Sequence, residues 1–413
     1  MLFGLTIICA LILLMGVILF VYSSLMIRKN HNCPIPRMGR YGQFAIVIPA
    51  RNESAVIEGL LKSIQNQTIS VSMEDVYIII EEAQDPTVLI ANMYGAQVIY
   101  RTTKRPRKGY ALDEGFQQIL KRGRLYELFF IFDADNILAP NFIESLLETY
   151  QRGYDIGMGY RNCKNGNDNV IAACSSLTFT MINTLSNSHR RCYHASMTVS
   201  GTGFFIAASW IEKWKGYPFH SLTEDYELSL YALEHRITMD YNPQAVFYDE
   251  QPTRYQQTKV QRIRWIRGYF DARREYIPRI RKTKKKTDAN YGSKVSECIG
   301  VKAYILLVIG IILGLLLQLV PFFFQAKAIK ESMVVFLFLI LFVYLALVGI
   351  TAILLNTEKD KLNLNKRMQL KTLLVNPLYL VTYIPCALTA ILKKEVTWVP
   401  IEHQVTQVIE SQE

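Results

Sequence analysis

Two phosphate-binding signatures are missing from this chain of 413 residues. No G-x-G-x-x-G follows its first strand-like run and no G-x-x-x-x-G-K-[ST] occurs anywhere, which disfavours nicotinamide-dependent and P-loop chemistry. The seven cysteines are odd in number and show no C-x-x-C spacing. They indicate neither a disulfide framework nor a zinc site, and a reduced cytoplasmic domain fits them. Charge is missing from whole stretches. Met1–Ile27 has none and is followed at once by Arg28 and Lys29, and Tyr304–Phe324 and Met333–Leu355 are also uncharged. Each reaches the roughly 20 apolar residues that let a helix span a bilayer. One such run could fill a soluble core; three together point to a membrane.

A cleaved signal peptide would place basic residues ahead of the first run. Here they follow it, so residues 1–27 read as an uncleaved anchor whose C-terminal end is cytoplasmic by the positive-inside tendency. The runs 304–324 and 333–355, paired as a hairpin, return the chain to the cytoplasm at a loop holding Lys359, Lys361, Lys366, Arg367 and Lys371. A fourth apolar segment, 372–392, is interrupted by Pro377 and Pro385 and flanked by basic residues. It predicts a re-entrant or interfacial element before a cytoplasmic tail, 393–413, with a full span as the alternative.

What is present lies between these segments. In residues 39–258 short apolar runs alternate with helical patterns: "FAIVIPA" at Phe44, "ESAVIEGLLKSIQNQ" at Glu53, "VYIIIE" at Val76, "AQVIYR" at Ala96 and "LFFIFD" at Leu128. This rhythm predicts an α/β domain built on a mainly parallel sheet. Ligands bind such sheets at the carboxyl ends of the strands. The polar oddities sit there: "PARNE" (Pro49–Glu53), "EEAQD" (Glu81–Asp85) and "DADN" (Asp133–Asn136).

Asp133 and Asp135 end a buried run, where two like charges repel and lose solvation. A divalent cation resolves the conflict, because Mg²⁺ and Mn²⁺ prefer hard oxygen ligands and often take one or two carboxylates plus substrate phosphates. The plainer alternative is a solvated turn or helix cap. "RPRKGYALDEGF" places Lys108 and Gly109 before a helix, suited to approaching an anion. "SLTEDYELSL" offers Glu224 and Asp225 at a helix start, as a cap or a catalytic base. "VQRIRWIRGYF" puts Gln261, Arg264 and Trp265 on one helical face.

An acidic residue after the second strand, then D-x-D, T-E-D and Q-x-x-R-W, over Phe44–Phe270 with flanking apolar segments, resembles an inverting family 2 glycosyltransferase. The type it is similar to is the membrane-embedded one of cellulose, hyaluronan and poly-N-acetylglucosamine synthases. The resemblance implies a Rossmann-like GT-A domain in the cytoplasm, flanked by membrane helices, and a nucleotide-diphosphate sugar donor, a UDP-sugar above all. It implies that Pro49, Ala50 and Glu53 frame the nucleotide with Lys108 near it. Asp133 and Asp135 would hold Mg²⁺ or Mn²⁺, with Asp133 also on the donor side. Asp225, with Glu224 beside it, would be the catalytic base. Gln261, Arg264 and Trp265 would close over the diphosphate and the acceptor end, and "SGTGFF" (Ser200–Phe205) would line the acceptor side. The family commonly has aspartate after the second strand; here Glu81 takes the base-recognition role, four residues before Asp85. The implied product is a growing β-linked polysaccharide, with a glycolipid made in one or a few steps as the alternative. A silent nucleotide-sugar-binding scaffold is the rival from another class.

From Lys259 to Lys286, twelve Lys or Arg stand against Asp271 and Glu275, an excess of ten that nearly equals the formal net charge of +11. With aromatic residues interleaved, residues 259–290 read as a basic interface helix on an anionic leaflet rather than a nucleic-acid patch. Trp398 and His403, in "TWVPIEH", could fold back toward the acceptor or belong to a frayed tail. His189 and His194 have no metal spacing.

Overall fold

Alternation builds the sheet. The computed structural model describes residues 2–30, 34–38, 41–317, 329–393 and 396. The strands are β1 (Phe44–Pro49), β2 (Val76–Ile80), β3 (Gln97–Tyr100), β4 (Leu128–Ile131), β5 (Ile137–Leu138), β6 (Ile156–Cys163), β7 (Phe204–Ala207) and β8 (Met239–Asp249). Successive side chains of a strand point to opposite faces, and in β1 Ala45 and Val47 enter one core while Ile46 and Ile48 enter the other. Helices cover both faces, so both sets are apolar, the continuous pattern of buried parallel strands.

All eight strands form one sheet in the order β3-β2-β1-β4-β7-β6-β8-β5. The first half is parallel, as expected, with Ile46 opposite Val76 and Phe44 opposite Leu128. In the second half β6 pairs with β8 in parallel, so six of the eight strands share one direction and the sheet is mainly parallel, as expected. β7 runs antiparallel to both β4 and β6, and β5 antiparallel to β8. The sheet is mixed, a Rossmann-like GT-A arrangement. The carboxyl ends of β1, β2 and β4 share an edge, and the loop before β7 enters that edge from the opposite direction.

Four helices among the described residues are long and apolar enough to cross a membrane: Ile7–Ile27, Tyr291–Leu317, Phe336–Thr357 and Lys366–Leu392. The second starts at Tyr291, thirteen residues before the apolar run at Tyr304. Its polar beginning is buried in protein instead of lipid: the Lys294 ammonium donates to Asp288 at 2.7 Å with both side chains inaccessible. The fourth is two helices, Lys366–Val381 and Tyr383–Leu392, meeting at Thr382. Pro377 sits inside the first without ending it. One flank of this segment packs on the α/β domain and the helix that follows it, where Met368 joins Ala173 and Leu177, and Cys386 joins Ile263. Residues 318–324 of the second run and 397–413, including Trp398 and His403, lie outside the described residues.

The N-terminal helix Leu2–Ile27 lies along Tyr291–Leu317 on small residues, the usual contact surface where lipid supplies no hydrophobic drive between helices. The Ser23 and Ser296 hydroxyls are 3.0 Å apart. A Cβ on Gly310 would stand 2.6 Å from Leu13, and one on Gly292 would stand 1.9 Å from the Met26 carbonyl oxygen. The obstacle at Gly292 is backbone, which no rotamer change relieves. Gly292→Val is therefore expected to lower stability by about 1–3 kcal/mol, read as a lower thermal midpoint in detergent. Gly349→Val, at a position with no atom within 4 Å of its would-be Cβ, is expected to leave the midpoint unchanged.

Candidate active site

The site grows from the strand ends. After β1, the Ala50 amide donates to the Ile79 carbonyl at 2.9 Å, which keeps Pro49 and Ala50 against the end of β2. Asn52 then turns with φ +58°. Its amide donates to Asp85 Oδ2 at 2.7 Å, while Asp85 Oδ1 accepts from the Thr87 amide at 2.9 Å. The Glu53 amide donates to Thr87 Oγ1 at 3.0 Å. Asp85 thus ties the loops after β1 and β2 together. Glu81 is ion-paired with Arg51 at 3.2 Å.

Asp133 follows β4. Its amide donates to Thr202 Oγ1 at 2.8 Å, and Thr202 is also bonded to Asn136. The Lys108 ammonium contacts the Asp133 carboxylate and donates to the Gly201 carbonyl at 2.7 Å. Lys108 opens the helix Lys108–Lys121. The next residue must be glycine, because a Cβ there would stand 2.0 Å from the Phe219 carbonyl oxygen. That contact seats the helix start against the segment leading into T-E-D. Gly201 (φ +84°) and Gly203 (φ +70°) hold backbone conformations that side chains disfavour, and they turn the "SGTGFF" strap into the strand edge.

Asp225 faces this strap. Its Oδ2 lies 3.3 Å from where a Gly201 Cβ would be, and its Oδ1 accepts from the Tyr226 amide at 2.8 Å. Burial pushes the Asp225 carboxyl up, opposed by that amide and by the Lys108 and Arg161 charges. Glu224 is buried beside it. Burial first and the Asp225 charge second push its carboxyl up to about 7, against the pull of Lys108. Lys108, Asp133, Gly201, Glu224 and Asp225 therefore share one crowded acidic site.

The long helix Tyr255–Thr283 roofs it. Desolvation lowers the Arg264 pKa while the charges of Glu224, Asp225 and Asp133 raise it, so its guanidinium lies in their field. Among the described residues, Gln261 Oε1 and Arg264 Nε are buried with no hydrogen-bond partner. Buried polar atoms are rarely left so, and these two suit a polar ligand entering beneath the helix. Trp265 packs edge-on to Phe179 with ring centroids 5.7 Å apart.

Residues that motif reading missed complete the floor. The Arg161 guanidinium sits 3.9 Å over the Phe179 ring and donates to Asp249 Oδ2 at 2.7 Å. Asp249 is pushed up to about 6 by burial, with Asp135 repelling it and Arg161 opposing. The Glu250 amide donates to Asp135 Oδ2 at 2.9 Å, and Asn136 Nδ2 donates to Asp135 Oδ1 at 3.1 Å. A carboxylate ending a buried strand, the cue that singled out Asp133, also marks Asp249 at the end of β8. Nothing local marks Arg161.

The basic helix differs from its expectation. Arg262 is 1% exposed, with its guanidinium 4.5 Å and 4.7 Å from the Tyr379 and Tyr383 rings and donating to Thr382 Oγ1 at 2.7 Å. Arg267 pairs with Asp271, Arg273 with Glu297, and Arg279 with Glu234 and Glu275. Much of the positive run therefore binds protein; Arg274, Arg281, Lys282, Lys285 and Lys286 remain exposed.

A metal fits the donor set only in part. Asp133 and Asp135 offer hard oxygens, and among the described residues no group of three or more His, Cys, Asp or Glu could hold an ion. The rest of a coordination shell would come from a ligand, as Mg²⁺ sites commonly arrange with phosphates.

Residues 42–268 match the model of the glycosyltransferase-like family 2. A curated relative, the probable glycosyltransferase YdaM of Bacillus subtilis (strain 168), is 25% identical over 261 residues, which is 59% of this chain and 59% of that protein. The match thus spans less than two thirds of the relative's length. Among solved structures, the mannosyltransferase PcManGT from Pyrobaculum calidifontis in complex with GDP-Man and Mn²⁺ aligns with a TM-score of 0.59 at 14% identity, over 96% of this chain and 100% of that one. That likeness is one of fold.

Glu224 yields a pH prediction. Its ordinary value is 4.5 and its folded value about 7, so between them the folded state holds a proton that the unfolded state has released. The stabilising contribution is full below 4.5 and is lost as pH rises through 7. Without donor or metal, the thermal midpoint of Glu224→Gln is expected to rise relative to wild type as pH increases across this window. A difference independent of pH would contradict the assignment.

Proposed function

This chain belongs to the glycosyltransferase-like family 2, and from that premise we propose that it is an inverting enzyme. Its donor is a nucleotide-diphosphate sugar, a UDP-sugar first, and its product a growing β-linked polysaccharide at the cytoplasmic face of a membrane. The observation that carries the reading is the convergence of five separate motifs. Lys108 joins Asp133 to the Gly201 carbonyl, Asp225 lies against Gly201, and Arg264 stands in the field of Asp225 and Asp133.

In this mechanism Asp225 takes the proton of the acceptor hydroxyl. The oxygen attacks the anomeric carbon from the face opposite the diphosphate, the bond to the phosphate oxygen breaks, and its electron pair leaves with the nucleotide. One base suffices, because inversion requires no covalent carboxylate intermediate. The raised Asp225 pKa favours proton acceptance, as a general base works best when its pKa approaches the working pH. Lys108 and Arg264 bind the donor's phosphates and meet the developing charge from fixed positions. Pro49, Ala50, Glu53 and Glu81 line the nucleotide side, and Gln261 and Trp265 lie along the roof. Mg²⁺ or Mn²⁺ held by Asp133 and Asp135 with the diphosphate would neutralise leaving-group charge.

The four apolar helices and Q-x-x-R-W support synthesis at a membrane, with the catalytic domain on the side of the basic loops. Purified full-length protein in lipid is to be incubated with labelled UDP- and GDP-sugars and the product sized. A ladder or high polymer of inverted linkage is expected; a product confined to one or two sugars on lipid would assign the glycolipid reaction instead. Asp225→Asn is expected to lower kcat by about 10²–10⁴-fold while donor binding persists, and unchanged turnover would remove Asp225 as the base. Chelation is expected to abolish transfer, with Mn²⁺ or Mg²⁺ restoring it.

A further inference from the structure

Asp225 is fixed from within the membrane segment. We propose that Glu297, on the helix Tyr291–Leu317, is a positioning residue for Asp225 acting through Tyr226; its place in catalysis rests on the reaction assigned above. The Tyr226 amide binds Asp225 Oδ1, and the Tyr226 hydroxyl donates to Glu297 Oε1 at 2.6 Å. The Tyr226 ring stacks on Tyr269 of the roofing helix, with centroids 4.4 Å apart and planes 26° from parallel. Arg273 Nη2, from the same roofing helix, donates to the Glu297 carbonyl at 2.7 Å, and its Nη1 reaches both the Tyr226 hydroxyl at 3.0 Å and the Glu297 carboxylate at 2.5 Å. Arg190 stands 3.7 Å from Glu297 Oε2. The Glu297 carboxylate thus lies between two guanidinium groups: Oε1 accepts from both Arg273 and the Tyr226 phenol, and Oε2 faces Arg190.

One turn earlier, the same helix holds the facing wall. Residues four apart share a helix face, and Ser293 Oγ accepts from the Ser196 amide at 3.0 Å. Ser196 lies on the approach to Ser200 and Gly201. The Ser293 amide and hydroxyl both donate to Asn30 Oδ1, at 3.1 Å and 3.0 Å, just past the N-terminal helix. Ser293 therefore braces the Gly201 strap and Glu297 braces Tyr226. The two walls meet where the Asp225 carboxylate faces Gly201. Ser229 joins the walls directly, accepting from the Val199 amide at 2.9 Å and donating to the Asp225 carbonyl at 2.8 Å, and the helix Tyr291–Leu317 holds both walls from behind.

Two measurements on the full chain in lipid nanodiscs test this, using Glu297→Gln and Tyr226→Phe. The first variant keeps shape and removes the charge; the second removes only the hydroxyl. Hydrogen exchange is expected to accelerate at least about tenfold in the segment 223–229 of both variants, while β1, β2 and β4 keep wild-type protection. In turnover, kcat is expected to fall about 10- to 100-fold, the scale of a misplaced reacting group, with the KM for donor within about twofold. The double variant is expected to be no slower than the slower single one. Unchanged exchange at 223–229 in both variants overturns the proposal, as does a fall in kcat that multiplies in the double variant. If wild type transfers no sugar, the reaction assigned above has failed, and the exchange data still decide whether Glu297 holds Tyr226.

Discussion

One ammonium group joins the parts of this molecule. Lys108 reaches from a helix start to the Asp133 carboxylate at the end of β4 and to the Gly201 carbonyl before β7. Three carboxylates crowd the same space; burial pushes Glu224 and Asp225 toward their neutral forms, and the Asp225 and Asp133 charges add to the push on Glu224. Without a cation at that point, the end of the parallel half of the sheet and the T-E-D helix would repel one another. The packing that places Lys108 is steric: the missing Cβ of Gly109 lets the helix start touch the Phe219 backbone. Electrostatics and close packing set one geometry, which a ligand bearing its own charges can then enter.

The parallel half of the fold was legible in the sequence because its strands are continuous apolar runs, bounded by polar ends and separated by helical patterns. The two reversed strands were not. Phe204–Ala207 is four residues long and sits inside "SGTGFFIA", where glycines read as a strap more readily than as the lead into a strand. β5 has two residues, below what any periodicity registers. Of the helix Tyr291–Leu317 only the start escaped, for the opposite reason: its first turns contain Lys294 and Glu297, which hydropathy excludes, yet both are neutralised by protein partners.

The candidate site shows the same division. Asp133, Asp135, Asp225 and Arg264 stand out because their residue types conflict with their surroundings, and conflict is visible in one dimension. Arg161 and Asp85 solve such conflicts from a distance. Arg161 stands 88 positions from Asp249 and Asp85 stands 33 from Asn52, so only folding joins them. The count of positive residues in 259–286 likewise misjudged the helix, since charge sums carry no direction and Arg262 points into an aromatic cage.

That cage links the paired apolar helices to the cleft. Arg262 and Arg264 are two positions apart on one helix, hence on opposite sides of it. The first is clasped at Thr382, the joint between the two short apolar helices; the second overlooks the acidic cleft. A stiff rod gripped on one side cannot be shifted there without its other side moving too. A displacement of the joint at Thr382 is therefore carried through the rod into the cleft.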